Sequence, residues 1–194
     1  MRELIFATQN QHKAREIASM AGDLVNIVSL KDLKFIEDIP ETSSTLEGNA
    51  LQKAKYVYHR FNKACFADDT GLEVDALLGR PGVRSARYAG AGHDFTANMV
   101  KVLSEMAGVK DRKARFRTVI ALILDQNKTY FFEGTVEGHL TELPRGDEGF
   151  GYDPIFVPDG YDQTFAEMTP ELKNQISHRR QAFEKLVDFL KSIQ

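Results

Sequence analysis

The chain has 194 residues, 42% of them hydrophobic, enough for one sizeable core and near the upper edge of one ordinary domain. A formal charge of -3 denies it the broad basic surface needed to coat a nucleic acid or an anionic membrane, although a few converging Lys and Arg side chains would still hold a small anion. A single cysteine, Cys65, excludes an internal disulfide and any multi-cysteine metal site, and fits a reducing compartment. The first apolar run, Leu4-Ile5-Phe6-Ala7, is too short for a signal peptide's core, and no later run approaches the length of a membrane span. The expectation is a cytoplasmic protein of one domain, residues 1–194, that meets neither nucleic acid nor membrane.

Leu4–Ala7 predicts a buried strand, followed by the polar loop Thr8-Gln9-Asn10-Gln11-His12-Lys13 and a helix with Ala14, Ile17, Ala18 and Ala21 on one face. In such a unit the loop and the helix N-terminus direct N–H groups at what lies above the strand, and an anion is favoured there. Lys13 adds a full charge, though neither established glycine-rich phosphate pattern is present. Val25–Leu30 predicts a second strand, and residues 31–44 a loop carrying Glu37, Asp38 and Glu41. Thr45 is placed to cap a helix bearing Leu46, Ala50, Ala54, Val57, Tyr58 and Phe61. Lys53 lies off that stripe, either solvated or reaching over the helix start.

Ala64–Ala67 predicts a strand that stops at Asp68-Asp69-Thr70-Gly71. Two carboxylates beside a glycine suit a turn. At the end of a sheet they also suit a divalent cation, which offsets their repulsion. Residues 79–92 are rich in Gly, Arg and Pro, with Arg80, Arg84 and Arg87 around Tyr88, and are too long for an idle turn. Asp94 is placed to cap a helix containing Phe95, Val100, Leu103 and Met106. Ala114–Leu124 and Thr129–Val136 predict a long antiparallel hairpin, which argues against a purely parallel doubly wound sheet and makes an α/β fold with a mixed sheet the expectation. In the loop at 143–159, Phe150 and Tyr152 lie between glycines, as core plugs or as a platform for a flat base with Asp153 accepting ring N–H groups. A strand at Ile155–Val157 follows. Thr169-Pro170-Glu171 starts one helix and Ser177 caps the last, whose stripe is Ala182, Phe183, Leu186, Leu190 and Ile193. Arg179 in its first turn opposes the helix dipole, a placement that suits an anionic ligand rather than helix stability.

Six motifs occur in one order: Thr8-x-Asn10-x-x-Lys13; Glu41-Thr42 with Thr45 and Asn49-Ala50-x-x-Lys53-Ala54; Ala67-Asp68-Asp69-Thr70-Gly71-Leu72; Pro81-Gly82-Val83 with Ser85-Ala86-Arg87-Tyr88; Phe150-Gly151-Tyr152-Asp153-Pro154; and Lys173-Asn174 with Ser177-His178-Arg179. In these the chain closely resembles the inosine/xanthosine triphosphate pyrophosphatases, the Ham1-like enzymes that remove deaminated purine nucleotides. The resemblance implies Mg²⁺-dependent hydrolysis of ITP, dITP and XTP to monophosphate and pyrophosphate, usually by a homodimer. It also implies an α/β architecture of the ITPase/Maf type: an elongated mixed sheet in two lobes with a substrate cleft. Carried over by motif, Thr8, Gln9, Asn10, Gln11, His12 and Lys13 cradle the triphosphate with Lys53 nearby, Asp69 is the catalytic base, and Thr70 touches substrate. Phe150, Gly151, Tyr152, Asp153, Lys173, His178 and Arg179 hold the base and its phosphates. Three positions depart from the family pattern: Gln9 and Ser43 replace common glycines, and Gly48 stands where Glu is frequent.

A triphosphate's charge favours Mg²⁺ bridging phosphate oxygens and carboxylates, for which Asp69, Asp68, Glu41 and Glu37 are the candidate ligands. A water held by Asp69 would attack the α-phosphorus while Lys13, Lys53 and Lys173 stabilise the departing pyrophosphate. The rival readings are a pyrophosphatase for other modified nucleotides and a nucleotide-binding module without turnover.

Overall fold

The computed structural model describes residues 2–21 and 25–193. β1 (Arg2–Phe6) lies between two parallel partners: β2 (Val25–Ser29), in register from Arg2↔Val25 to Phe6↔Ser29, and β3 (Cys65–Val74), paired at Ile5↔Cys65 and Phe6↔Phe66. β4 (Lys113–Asp125) and β5 (Lys128–Leu140) follow one another across Gln126 and Asn127, and short β6 (Phe156–Pro158) pairs antiparallel with the end of β5. The sheet order is β2-β1-β3-β4-β5-β6. It is the expected mixed α/β sheet. The helices are α1 (Gln11–Ala21), α2 (Leu46–Phe61), α3 (Phe95–Glu105), α4 (Pro170–Ile176) and α5 (His178–Ser192). No helix among the described residues is long and apolar enough to cross a membrane.

The chain forms two compact units. Unit 1 comprises residues 1–69, 118–134 and 179–194; unit 2 comprises 70–117 and 135–178. In unit 1 the period-2 alternation of strands decides the packing. Leu4, Phe6, Phe66, Ile120 and Leu122 face Ile17 of α1 and Ala182, Phe183, Leu186 and Leu190 of α5. The alternate residues Ile5, Ala7, Cys65, Ala67, Ala121 and Ile123 face Ala50, Ala54 and Val57 of α2. The alanines let α2 lie close to the strands. Phe6 and Phe66 stack at 4.6 Å, and each such fully buried ring contributes about 1.5–3 kcal/mol. Unit 2 has its own core of Leu72, Val74, Val102, Met106, Phe116, Leu140, Tyr152, Phe156 and Phe165.

Thr45 caps α2 as expected, its side chain accepting from Gly48 N, and Asp94 and Thr169 cap α3 and α4 in the same way. Other expectations need correction. β3 does not stop at the carboxylates but continues through Asp68, Asp69 and Thr70 to Val74, with both Asp side chains buried, so the turn reading fails. Residues 79–92 are not simply a loop, since a 3-10 helix spans Gly82–Arg87. Ile193, placed on the α5 stripe, is 40% exposed. α3 buries Asn98, whose amide is satisfied by Ala89 N–H at 2.6 Å and the Ala86 carbonyl at 3.1 Å, which removes the usual cost of burying a polar group.

Candidate active site

In unit 1 the loop after β1 turns into α1 through Asn10, whose Oδ1 accepts from the backbone N–H of His12 (2.9 Å) and Lys13 (3.3 Å), while Thr8 Oγ1 accepts from Asn10 N (3.2 Å). Gln9 leans away to donate to the Glu37 carbonyl at 2.9 Å. This capped turn aims Lys13 at the sheet, where its Nζ meets Asp68 Oδ2 at 2.9 Å. Arg179, from the first turn of α5, reaches the same oxygen at 3.5 Å and binds Glu16 of α1 with its other arm. Arg179 thus belongs to a Glu16–Arg179–Asp68–Lys13 cluster.

Asp69, the next residue of β3, has a separate set of partners. Its Oδ1 lies 3.5 Å from Lys53 Nζ, which also contacts Glu41 Oε1 at 2.5 Å. Its Oδ2 accepts from Asn49 Nδ2 at 3.1 Å. Lys53 is thus no solvated helix lysine; it is 7% exposed and bridges two carboxylates. Glu37 stands elsewhere, accepting from the Tyr56 hydroxyl at 2.8 Å and facing Arg60 at 3.5 Å.

The two aspartates are tuned apart. Burial alone would raise the Asp68 carboxyl, but Lys13 and Arg179 together hold it well below the usual carboxylate range. At Asp69 burial outweighs Lys53 and Lys13, and the carboxyl sits above its ordinary value. Burial likewise lowers the Lys13 ammonium despite Asp68. At Lys53 the same burial is overcome by Asp69 and Glu41, which raise it. Such divergence between adjacent carboxyl groups divides their chemistry: Asp68 stays an anion committed to its cations, and Asp69 becomes the better proton acceptor.

For a metal, the donor chemistry is that of Glu41 and Asp69, hard oxygen ligands held near one another by a shared ammonium. No group of three or more His, Cys, Asp and Glu suited to a metal occurs among the described residues. Two carboxylates are hard oxygen donors of the kind that would fit a divalent cation such as Mg²⁺.

Unit 2 carries the aromatic loop. Gly149 (φ +77) and Gly151 (φ +68) flank Phe150 in left-handed backbone. Asp153 Oδ2 accepts from Phe150 N at 2.7 Å and from Lys173 Nζ at 2.8 Å, and that ammonium lies 5.2 Å from the Phe150 ring centroid and 5.8 Å from that of Phe165. A Cβ on residue 149 would stand 2.2 Å from Asp153 Oδ2, so glycine is required there. Tyr152 is buried, and its hydroxyl donates to the Ser85 carbonyl at 2.8 Å. Of the two aromatics, Tyr152 is the core plug and Phe150 the half-buried ring. His178 is stacked on Phe116, centroids 4.8 Å apart and 11° between planes. Thr70 is half-buried on β3.

Glu16, Asn49, Gln52 and Phe165 were not foreseen as site residues. Glu16 stands one helical turn beyond Lys13 and Asn49 one turn before Lys53, so helical spacing from the two lysines was the signal available.

The Ham1 family model matches residues 4–189. The chain is 54% identical over 191 residues to the dITP/XTP pyrophosphatase of Porphyromonas gingivalis, covering 98% of each, and 50% identical over 188 residues to that of Flavobacterium johnsoniae, covering 97% of each. The structure of the Staphylococcus aureus Ham1 protein matches with a TM-score of 0.89 at 40% identity, over 99% of this chain and 100% of that one. Fold, site and relatives define an enzyme of the nucleoside triphosphate pyrophosphatase class, hydrolases acting on phosphoric anhydrides. The chain belongs to the Ham1 family.

Proposed function

We propose that this enzyme hydrolyses deaminated purine nucleoside triphosphates (dITP, ITP and XTP) to the monophosphate and pyrophosphate with Mg²⁺, as a cytoplasmic homodimer whose residues 1–194 act as one functional domain. The observation that carries the reading is Lys53 joining Asp69 to Glu41 while the neighbouring Asp68 is held by Lys13 and Arg179. It provides one carboxylate with a raised pKa and two ammonium groups beside it. The names of the relatives supply the substrate class.

In this reading the Thr8–Lys13 turn, closed by its own Thr8 and Asn10 side chains, holds the Lys13 ammonium where it receives phosphate oxygens. Asp69 accepts the proton of the attacking water, a role suited to a carboxyl held above its ordinary value. Lys53 and Lys13 stabilise the charge of the departing pyrophosphate. Glu41 and Asp69 would hold the Mg²⁺, which when bound neutralises phosphate charge and acidifies water. In unit 2, Phe150 offers its face to a purine, and the Asp153–Lys173 pair fixes the loop that presents it. His178 and the start of α5 supply donors for the 6-carbonyl that hypoxanthine and xanthine carry and adenine lacks. A mismatched adenine would leave buried donors unpaired at about 1–3 kcal/mol each.

The test is pyrophosphate release measured across dITP, ITP, XTP, GTP and ATP with Mg²⁺. The expected result is rapid release from the first three and little from GTP or ATP. No release from any of the first three would overturn the reading, and release confined to other modified nucleotides would favour the rival pyrophosphatase.

A further inference from the structure

Between β2 and α2 the chain crosses residues 30–45 without regular strand or α-helix, so its backbone groups must find partners elsewhere. Three successive residues of that loop are held by side chains of one helix. Glu41 Oε1 is held by Lys53 Nζ at 2.5 Å. Thr42 N donates to Gln52 Oε1 at 2.9 Å, and Gln52 Nε2 returns a bond to Thr42 Oγ1 at 3.0 Å. Ser43 N donates to Asn49 Oδ1 at 2.8 Å. The loop lies so close to the first turn of α2 that a Cβ on residue 48 would stand 1.9 Å from Ser43 Oγ. Two of the three departures from the family pattern, Ser43 and Gly48, therefore meet in space and fit one another.

Asn49 and Lys53 are one helical turn apart, and each also touches Asp69, at Oδ2 and Oδ1 respectively. The Asn49 amide is oriented by its partners: the Ser43 N–H requires an acceptor, and the Asp69 carboxylate requires a donor. Asn49 is 2% exposed with both ends used. Gln52 touches neither Asp69 nor Glu41 in these contacts, yet grips the residue between Glu41 and Ser43.

We propose that Asn49 and Gln52 are positioning residues: α2 uses them to clamp the Glu41–Ser43 segment so that Glu41 and Asp69 are presented as one fixed carboxylate pair to the divalent cation that accompanies the nucleotide. The inference rests on the functional reading above and adds to it the residues that set the spacing of the pair. Ligand-orienting partners of this kind are worth about 10–100-fold in metal affinity or activity.

The experiment is a Mn²⁺ titration followed by electron paramagnetic resonance, with α,β-imido-dITP as the non-hydrolysed nucleotide, on wild type, Gln52→Ala, Gln52→Glu and Asn49→Ala. Gln52 is half-buried, so its variants test the clamp even where Asn49→Ala fails to fold. Gln52→Ala is expected to weaken Mn²⁺ binding in the ternary complex about 10-fold, with binding of the analogue in EDTA and the melting temperature unchanged. Gln52→Glu, which still accepts from Thr42 N and can take the Thr42 hydroxyl proton, is expected to bind as wild type does. Mn²⁺ affinity unchanged in Gln52→Ala, or an equal loss in Gln52→Glu, overturns the clamp alone. Failure of the wild type to take up the analogue and Mn²⁺ together overturns the functional reading beneath it.

Discussion

Asp68→Asn isolates what the adjacent carboxylates of β3 each contribute. Asp68 is 1% exposed and holds Lys13 at 2.9 Å and Arg179 at 3.5 Å. At an effective dielectric of about 20 these pairs are worth about 6 and 5 kcal/mol of gross attraction, of which desolvation cancels a large part. Removing one member of a buried ion cluster leaves uncompensated charge, here on Lys13 and Arg179, and costs about 3–5 kcal/mol. For a chain of this length that corresponds to a fall in melting temperature of about 10 °C, measurable by circular dichroism. The folded-state carboxyl lies below its unfolded value, so its contribution is complete above the unfolded pKa of about 3.9 and is lost as pH falls through the folded value. The gap between wild type and Asp68→Asn should stay constant from pH 8 to pH 5 and narrow below pH 4. A gap at pH 7 under about 1 kcal/mol, the range of exposed pairs, would refute the buried-hub assignment, as would a gap that does not narrow in acid.

Asp69→Asn should lower kcat by about 10²–10⁴ while leaving nucleotide binding by calorimetry intact; near-normal turnover would remove Asp69 as the proton acceptor. Gly149→Ala places a Cβ against Asp153 Oδ2 at a φ of +77, and should raise KM several-fold with little change in kcat, measured by steady-state kinetics; an unchanged KM would show that the Phe150 loop does not meet substrate. Cys65 is fully buried, its Sγ donates to the Ala54 carbonyl at 3.2 Å, and burial pushes its thiol up to about 12. A disulfide-exchange reagent at pH 8 should therefore find no thiol in the native protein and one per chain in denaturant.

Where local rules govern, the sequence was a sufficient guide. The caps at Thr45, Asp94 and Thr169 and the alternation of Leu4 to Ala7 depend only on neighbours in the chain. β3 defeats the same approach because two carboxylates and a glycine locally favour a turn, whereas cations from residues 13, 53 and 179 let the strand run on with the acids buried. Those partners are remote in sequence, and no local pattern encodes them. Arg179 shows the same limit, since its partners Asp68 and Glu16 lie far from it in sequence. Glu37 and Glu41 sit in one unstructured loop with nothing local to distinguish them, and only the reach of Lys53 separates the carboxylate beside Asp69 from the one beside Tyr56. Asn98 is not legible as a core residue because apolar spacing marks only apolar positions, while α3 buries this amide against a loop.

The closed position of Cys65 has a practical side. It is the chain's sole cysteine, so a thiol introduced at an exposed site such as Ile36 in unit 1 or Leu143 in unit 2 would be the one reactive handle on the folded protein. A fluorophore or spin label could then be attached at a chosen point in either unit without first removing the native residue, and the reporter would carry no background.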